Sequence, residues 1–463
     1  MTIPLRVDWA AATGISRTTL TTHVWTAPTL RRGSPVHDRV FAALKELRAD
    51  LIRFLPWFSH PHVSVPALTP PTDGQTSWNF DRLDPFVADV MAAAEGRPVV
   101  ANFATIPAWM FTTTVDVPDD PDQAVWDYEH GVELRDPTCA EVADYFYRLA
   151  SWYIAGGFTD EAGRRRESGH RYRFAYWEVL CEPDMRGLSP QAYTRLFDAV
   201  VQRLAPLDPQ MKFVGLSLTH QHHNPEYFWH FLGSGPHRDA ISYHFYAHPD
   251  IVNPIAPEGN IPFDQWPAVF FAQADGFLDQ VRWIESVRRR LSPDTKTFVN
   301  EVGTFTPDLM NPEPEIPADY WLLSAALQSY VWAHLVTLGI DLVGIAEFMG
   351  YPGMIPGVTL VDWDTGEPNA RYQALRKLLE HFGPGDTLVS TEVGDPKFPD
   401  ARVYAQAFVT AEGTRKALLI NKSGNPVGVE LPDSGAVVAL DRFAVAVYQS
   451  GIDGGGAQCW TAV

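Results

Sequence analysis

Residues 174–184 read Phe-Ala-Tyr-Trp-Glu-Val-Leu-Cys-Glu-Pro-Asp. An apolar run of strand length ends abruptly at Glu182-Pro183. Proline has no N–H to give to a ladder, so a strand stops there. Residues 297–303, Thr-Phe-Val-Asn-Glu-Val-Gly, repeat the arrangement and deliver a second acid, Glu301, near the end of a short apolar run. Working outward, similar runs occupy Thr18–Trp25, Ala49–Phe54, Pro98–Phe103, Lys212–Leu218, Ala240–Tyr246 and Ile340–Glu347. With Phe174–Cys181 and Thr297–Glu301 they make eight before residue 350. Between them, His37–Arg48 and Asp81–Glu95 carry apolar residues at three- and four-residue spacing, and Tyr320–Leu338 is a longer, more apolar helix pattern. Strands alternating with helices predict a parallel α/β fold, and eight is the count of a (β/α)₈ TIM barrel, here spanning residues 15–385.

The composition changes after Gly385. Arg402–Val409, Lys416–Asn421, Val427–Leu431 and Phe443–Tyr448 read as β runs punctuated by Gly, Pro and Asp. They predict a small β-sandwich over residues 386–463, to which Pro4–Trp9, within residues 1–14, can add a strand. The tail after Ser450, with its Gly-Gly-Gly, is expected to be loose. Three Pro- and Asp-rich loops, Phe111–Pro137, Ala247–Trp266 and Thr304–Ala318, follow barrel strands. They belong on the carboxyl-end face, where barrel active sites lie. The polar stretch Thr159–Arg173 precedes its strand and belongs on the other face.

The chain has 463 residues, long enough for one large domain and a small one. Its 36 Lys and Arg against 56 Asp and Glu leave a formal net charge of -20, which argues against nucleic acid and anionic membranes as partners. No run approaches a membrane span. The start, MTIPLRVDWAAATG, lacks an apolar core behind a basic end, so a cytoplasmic protein is expected. Cys139, Cys181 and Cys459 are scattered and odd in number, which speaks against a disulfide framework or a structural zinc site. Oligomeric state has no signature here.

Two acids at the ends of different strands of one barrel can face each other across its axis. Burial at a strand end raises a carboxyl pKa, which suits Glu182 to proton donation. At roughly 5–5.5 Å such a pair performs double displacement, and at roughly 6.5–9.5 Å it inverts. Glu178 and Glu347 are further strand acids, either of which could pair with a buried arginine. His244 and Tyr246 lie two apart, hence on one strand face. His220, Gln221, His222 and His223 read as metal ligands or, with no acid or cysteine at a ligand spacing, as a polar substrate loop. Trp57, Trp109, Trp266 and Trp363 sit in or near carboxyl-end loops and could stack on a sugar or simply pack.

This constellation resembles the clan A retaining glycoside hydrolases, in which strand 4 ends in an acid/base Glu and strand 7 in a nucleophile Glu. Leu51-Ile52-Arg53-Phe54 resembles strand 2 of that clan, whose Arg supports the nucleophile. Residues 98–109, ending Ile106-Pro107-Ala108-Trp109, resemble strand 3. Ser242-Tyr243-His244-Phe245-Tyr246 resembles strand 6, whose His and Tyr line the sugar subsite. The spacing and the C-terminal β domain look most like the family 39 group of β-xylosidases and α-L-iduronidases, over about residues 15–450. The resemblance implies a glycosidase acting on small oligosaccharides or glycosides. Its catalytic residues would be Glu182 and Glu301, with Arg53, Trp109, Cys181, His244, Tyr246 and Glu347 around the sugar and no cofactor or metal. One position departs from the group. Where its pattern has Asn before Glu-Pro, this chain has Cys181, and a thiol is a poor substitute for an amide donor to a sugar 2-hydroxyl. Either the substrate differs at C2, or another residue reaches that hydroxyl, or catalysis is slow, or the change is neutral drift to a small buried residue. Rival readings are a carbohydrate-binding barrel with weakened chemistry and a metal-dependent barrel hydrolase built on the 220–223 cluster.

Overall fold

The computed structural model describes residues 2–462, apart from 114, 129–132, 220–223, 234, 236–237, 250–259, 395–400, 433–434 and 451–457. The 220–223 histidine cluster and most of the loop after Ala247 therefore lie outside the described residues.

Eight parallel strands close into a barrel. In chain order they are Thr19–Trp25, Leu51–Leu55, Val99–Ala101, Tyr176–Glu178, Lys212–Leu218, Ala240–Ala247, Lys296–Thr304 and Leu342–Ile345. The last pairs with both the first and the seventh, completing the ring. The expected (β/α)₈ barrel is thus present. The expected strand Phe174–Cys181 is regular only over Tyr176–Glu178. Beyond it, Leu180 and Glu182 take left-handed φ of 63° and 52°, opposite Leu216 and Ser217 at 78° and 50° on the next strand. Pairing resumes there through Glu182 N–H to the Ser217 carbonyl at 2.9 Å.

Period-two alternation explains the barrel interior. Leu51, Val100, Val214, Ala240, Phe298 and Leu342 pack together as an apolar floor, with Tyr176 against them. Two residues further along five of those strands come Arg53, Asn102, Glu178, Ser242 and Asn300. These are buried polar side chains that form the next layer. The floor closes one end of the barrel, and the polar layer stands between it and the carboxyl-end face.

The helix Tyr320–Leu338 has apolar residues all round because both its sides are covered. It packs on the barrel, and its Tyr330 and Trp332 meet Tyr404 and Phe408 of the second sheet at ring separations of 5.1 and 6.1 Å. That second sheet is mostly antiparallel, ordered Val437–Leu440, Val427–Glu430, Thr2–Ile15, Thr387–Val393, Val403–Val409, Arg415–Asn421, Val445–Gln449 and Gln458–Thr461. The N-terminal strand joins its two parts, pairing parallel with Val427–Glu430 and antiparallel with Thr387–Val393. Ile3, Leu5, Val389, Ala407, Leu419 and Val429 belong to the separate core between them. Of the tail expected to be loose, residues 451–457 with their glycines lie outside the described residues, while Gln458–Thr461 form an edge strand on Val445–Gln449. Among the described residues no helix is long and apolar enough to cross a membrane.

Candidate active site

The site is built upward from Glu178. This fully buried carboxylate accepts four hydrogen bonds. Arg53 Nε and Asn102 Nδ2 donate to Oε2 at 2.6 and 2.5 Å, and Ser242 Oγ and Asn300 Nδ2 donate to Oε1 at 2.6 and 2.7 Å. Four donors from four strands satisfy a charge that would otherwise be costly to bury. Glu178 therefore serves as the carboxylate partner of a buried arginine and fixes how that arginine points.

Arg53 turns Nη1 to Glu301 Oε1 at 2.5 Å, while Nη2 faces Ser217 Oγ at 3.3 Å and Cys181 Sγ at 3.7 Å. Glu301 reaches this layer through a bulge. The register of the seventh strand shifts between Val299 and Glu301 against the sixth strand, and the eighth registers the same irregularity. A bulge re-aims a side chain that strict alternation would send outward. The other carboxylate oxygen, Oε2, accepts a 2.6 Å hydrogen bond from the Tyr246 hydroxyl. Tyr246 lies flat on Phe305, ring centroids 4.3 Å apart, and over Gly303, where a Cβ would stand 2.8 Å from its ring.

His244 links the two acids. Its Nδ1 is 2.9 Å from Glu182 Oε1 and 3.4 Å from Glu301 Oε2, and its Nε2 is 3.1 Å from Ser217 Oγ. One imidazole nitrogen thus lies within contact distance of an oxygen of each acid. Glu182 is the more open of the two acids, its side chain 13% exposed against 5% for Glu301.

The charge states follow from this packing. Burial pushes Glu301 upward, but the His244 and Arg53 charges and the Tyr246 hydrogen bond pull it down to about 2, so it is ionised. Burial works against a charge on His244, yet Glu301 and the bond to Glu182 outweigh it and raise its pKa. Burial and the negative charge of Glu301 push Glu347 well above the usual carboxyl range, which favours its protonated form. Burial and the nearby acids likewise keep Cys181 a neutral thiol.

The structure thus gathers Arg53, Cys181, Glu182, His244, Tyr246, Glu301 and Glu347 at one end of the barrel. Glu347 makes no bond to an arginine. Its Oε1 lies 3.3 Å from His23 Nδ1, and among the described residues its buried Oε2 has no hydrogen-bond partner. Trp109 is not brought to the two acids. Its indole donates to the Ala67 carbonyl and its ring lies under the Arg135 guanidinium at 4.4 Å. Trp266 donates to the Ile261 carbonyl and is buried as packing. Trp57 is the tryptophan that reaches the site, against Leu55, Ala104 and Cys181.

Sequence reasoning passed over His23, Asn102, Ser217 and Asn300. All four sit in a barrel strand or just past its end, and a polar residue inside such a run, as Asn102 between Ala101 and Phe103 or Ser217 between Leu216 and Leu218, is the signal that could have found them. Among the described residues two donor sets, Cys181/His244/Glu301 and His23/Glu301/Glu347, have ligand atoms close enough to hold a metal ion. Both depend on Glu301, whose oxygens are occupied by Arg53 and Tyr246, and the adjacent guanidinium repels a cation.

No family model matches the chain, and no curated protein matches its sequence. Solved structures share its fold. A GH51 arabinofuranosidase from Xanthomonas axonopodis pv. citri superposes with a TM-score of 0.62 at 12% identity, over 93% of this chain and 87% of that one. A GH39 β-xylosidase from Caulobacter crescentus gives 0.58 at 15% identity, over 93% and 83%. An α-L-arabinofuranosidase from Thermotoga maritima gives 0.59 at 15%, over 99% and 95%.

Proposed function

We propose that this protein is a retaining O-glycosidase of the clan A type, most similar to the family 39 group. One observation carries the reading: a single imidazole nitrogen, His244 Nδ1, contacts both Glu182 and Glu301. The neighbours above, glycoside hydrolases by their descriptions, point the same way.

The two acids stand in different environments, which suits two different roles. Glu301, ionised and oriented by Arg53 and Tyr246, attacks the anomeric carbon. The bond from that carbon to the leaving oxygen breaks, and Glu182 gives the oxygen its proton. The sugar is then an ester of Glu301. Glu182, now a carboxylate, takes a proton from water as the water oxygen attacks the same carbon and the ester bond breaks. His244 orients Glu182 through the 2.9 Å contact. Glu347, whose protonated form is favoured by burial and by Glu301, can both donate to and accept from sugar hydroxyls. No step calls for a metal or organic cofactor.

Aryl glycosides of several configurations test the proposal. Turnover that Glu301→Gln abolishes, together with a glycosyl adduct on the Glu301 peptide after treatment with a 2-deoxy-2-fluoro glycoside, is the expected result. A Glu301→Gln variant that retains full turnover refutes it.

A further inference from the structure

The walls around Glu301 are chemically unequal. The Tyr246 hydroxyl stands on Oε2, and His23 Nδ1, 3.5 Å from Oε1, leads away to Glu347, whose buried Oε2 has no hydrogen-bond partner among the described residues. Cys181 also borders Oε1, its Sγ 4.0 Å away and packed with Leu55, Ala104 and Trp57 into a small apolar cluster. The polar groups behind that cluster are already engaged. Arg53 faces Glu178, Glu301, His23, Cys181 and Ser217, and Ser217 Oγ faces His244. The donors of Arg53 and Ser217 are thus taken up within the protein. The left-handed Leu180 and Glu182 on either side of Cys181 fix where the thiol stands.

We infer that the site takes a glycone with no hydroxyl on the carbon next to its anomeric centre, a 2-deoxy sugar. The inference rests on the glycosidase reading and deepens it. An anomeric carbon bonded to Glu301 has only two ring neighbours, the ring oxygen and C2. In an oxocarbenium-like transition state the ring oxygen shares the positive charge, so it belongs beside the Tyr246 oxygen, which is hydrogen-bonded to Oε2. C2 is then left facing Oε1 and the Cys181 wall. A hydroxyl there could give its proton only to Oε1, already held by Arg53, and from the Cys181 wall would gain at best a weak thiol contact in return for the water it loses. A CH₂ group loses nothing and gains apolar contact. Hydroxyls farther round the ring meet the partnerless oxygen of Glu347.

The test pairs nitrophenyl 2-deoxy-glycosides with their 2-hydroxy parents on the folded full-length protein. Each kcat/KM is divided by the spontaneous hydrolysis rate, because removing the 2-hydroxyl makes a glycoside intrinsically more labile. The wild type is expected to turn over the 2-deoxy member at least as well as the parent. Cys181→Asn is expected to raise the parent several-fold without raising the 2-deoxy member, the worth of one neutral hydrogen bond, while Cys181→Ala keeps the wild-type order. Should Cys181→Asn fail to fold, as circular dichroism would report, the wild-type pair decides alone. A corrected preference for the parent of about 100-fold or more in the wild type, the scale of a strong 2-hydroxyl contact, overturns this inference while leaving the glycosidase reading intact. An equal loss on both substrates in folded Cys181→Asn also overturns it, by giving the thiol a direct role. A folded wild type that turns over no glycoside at all overturns both.

Discussion

Asn300 and Glu301 are consecutive, yet both point into the barrel, Asn300 to Glu178 and Glu301 to Arg53. A regular strand cannot do this, since neighbouring side chains take opposite faces. The bulge in the seventh strand makes it possible, and the eighth strand accommodates the bulge with Gly344. A Cβ at that position would stand 2.3 Å from the Asn300 carbonyl oxygen.

Gly344→Ala should therefore act through the backbone. The methyl meets a carbonyl that cannot swing aside, so either the bulge or the barrel closure shifts. A cost of about 1–3 kcal/mol or more is expected from urea unfolding, with turnover falling further than stability because Glu301 moves. Unchanged turnover in the alanine variant would show that the bulge does not depend on this glycine.

Tyr246 offers a cleaner perturbation of Glu301. Tyr246→Phe removes one hydrogen bond to a buried carboxylate and leaves the ring on Phe305. Such a bond is worth about 1.5–3 kcal/mol, so kcat should drop roughly 10- to 100-fold with little change in KM. Gly303→Ala should mimic it by pushing the ring away, since its Cβ would stand 2.8 Å from Tyr246. A Phe variant with wild-type kcat would separate Tyr246 from the chemistry.

The site also sets a pH window for stability. Glu301 is depressed to about 2, so it stabilises the fold fully above its unfolded value of roughly 4.3. That contribution, roughly 3 kcal/mol, is lost as pH falls from there towards 2. His244 has the opposite sign. Its pKa is raised in the folded state, so its stabilisation is full below about 6.5 and is lost as pH rises through the folded value. Denaturant midpoints measured from pH 3 to 9 should fall on both sides, and His244→Gln should flatten the decline that begins near pH 6.5. An unaltered alkaline limb in that variant would remove His244 from the account.

Much of the barrel was legible because each strand is a short apolar run bounded by helix or loop signals. Lys212–Leu218 and the helix Tyr320–Leu338 coincide with the sequence reading. The break after Glu178 was not, because Val179, Leu180 and Cys181 are as apolar as the strand before them, and left-handed φ at Leu180 leaves no compositional trace. The acids could be picked out by the apolar runs that lead to them, although Glu301 sits inside the strand Lys296–Thr304 and Glu182 beyond the strand Tyr176–Glu178. The inner layer could not, since Asn102, Ser217 and Asn300 matter only through which strand faces which. Trp109 was hard to place for a related reason: a loop tryptophan reads the same in sequence whatever it meets, here the Ala67 carbonyl and the Arg135 guanidinium.

The layer beneath the site makes the last prediction the most demanding. Arg53 is 1% exposed and bonded to two carboxylates, Glu178 and Glu301. Arg53→Met keeps much of the volume but leaves both acids buried without their cation, a loss of about 3–5 kcal/mol. Arg53→Lys keeps the charge but has one nitrogen where the structure uses three, so it should recover only part of that loss. Adding Glu178→Leu to Arg53→Met removes one of the stranded acids and should restore stability relative to Arg53→Met alone. It should not restore turnover, because Glu301 still lacks the guanidinium that orients it. Thermal unfolding and kcat/KM measured on the three variants separate the two effects. If Arg53→Met melts where the wild type does, the buried network contributes nothing to the fold, and the inner layer exists for the chemistry alone.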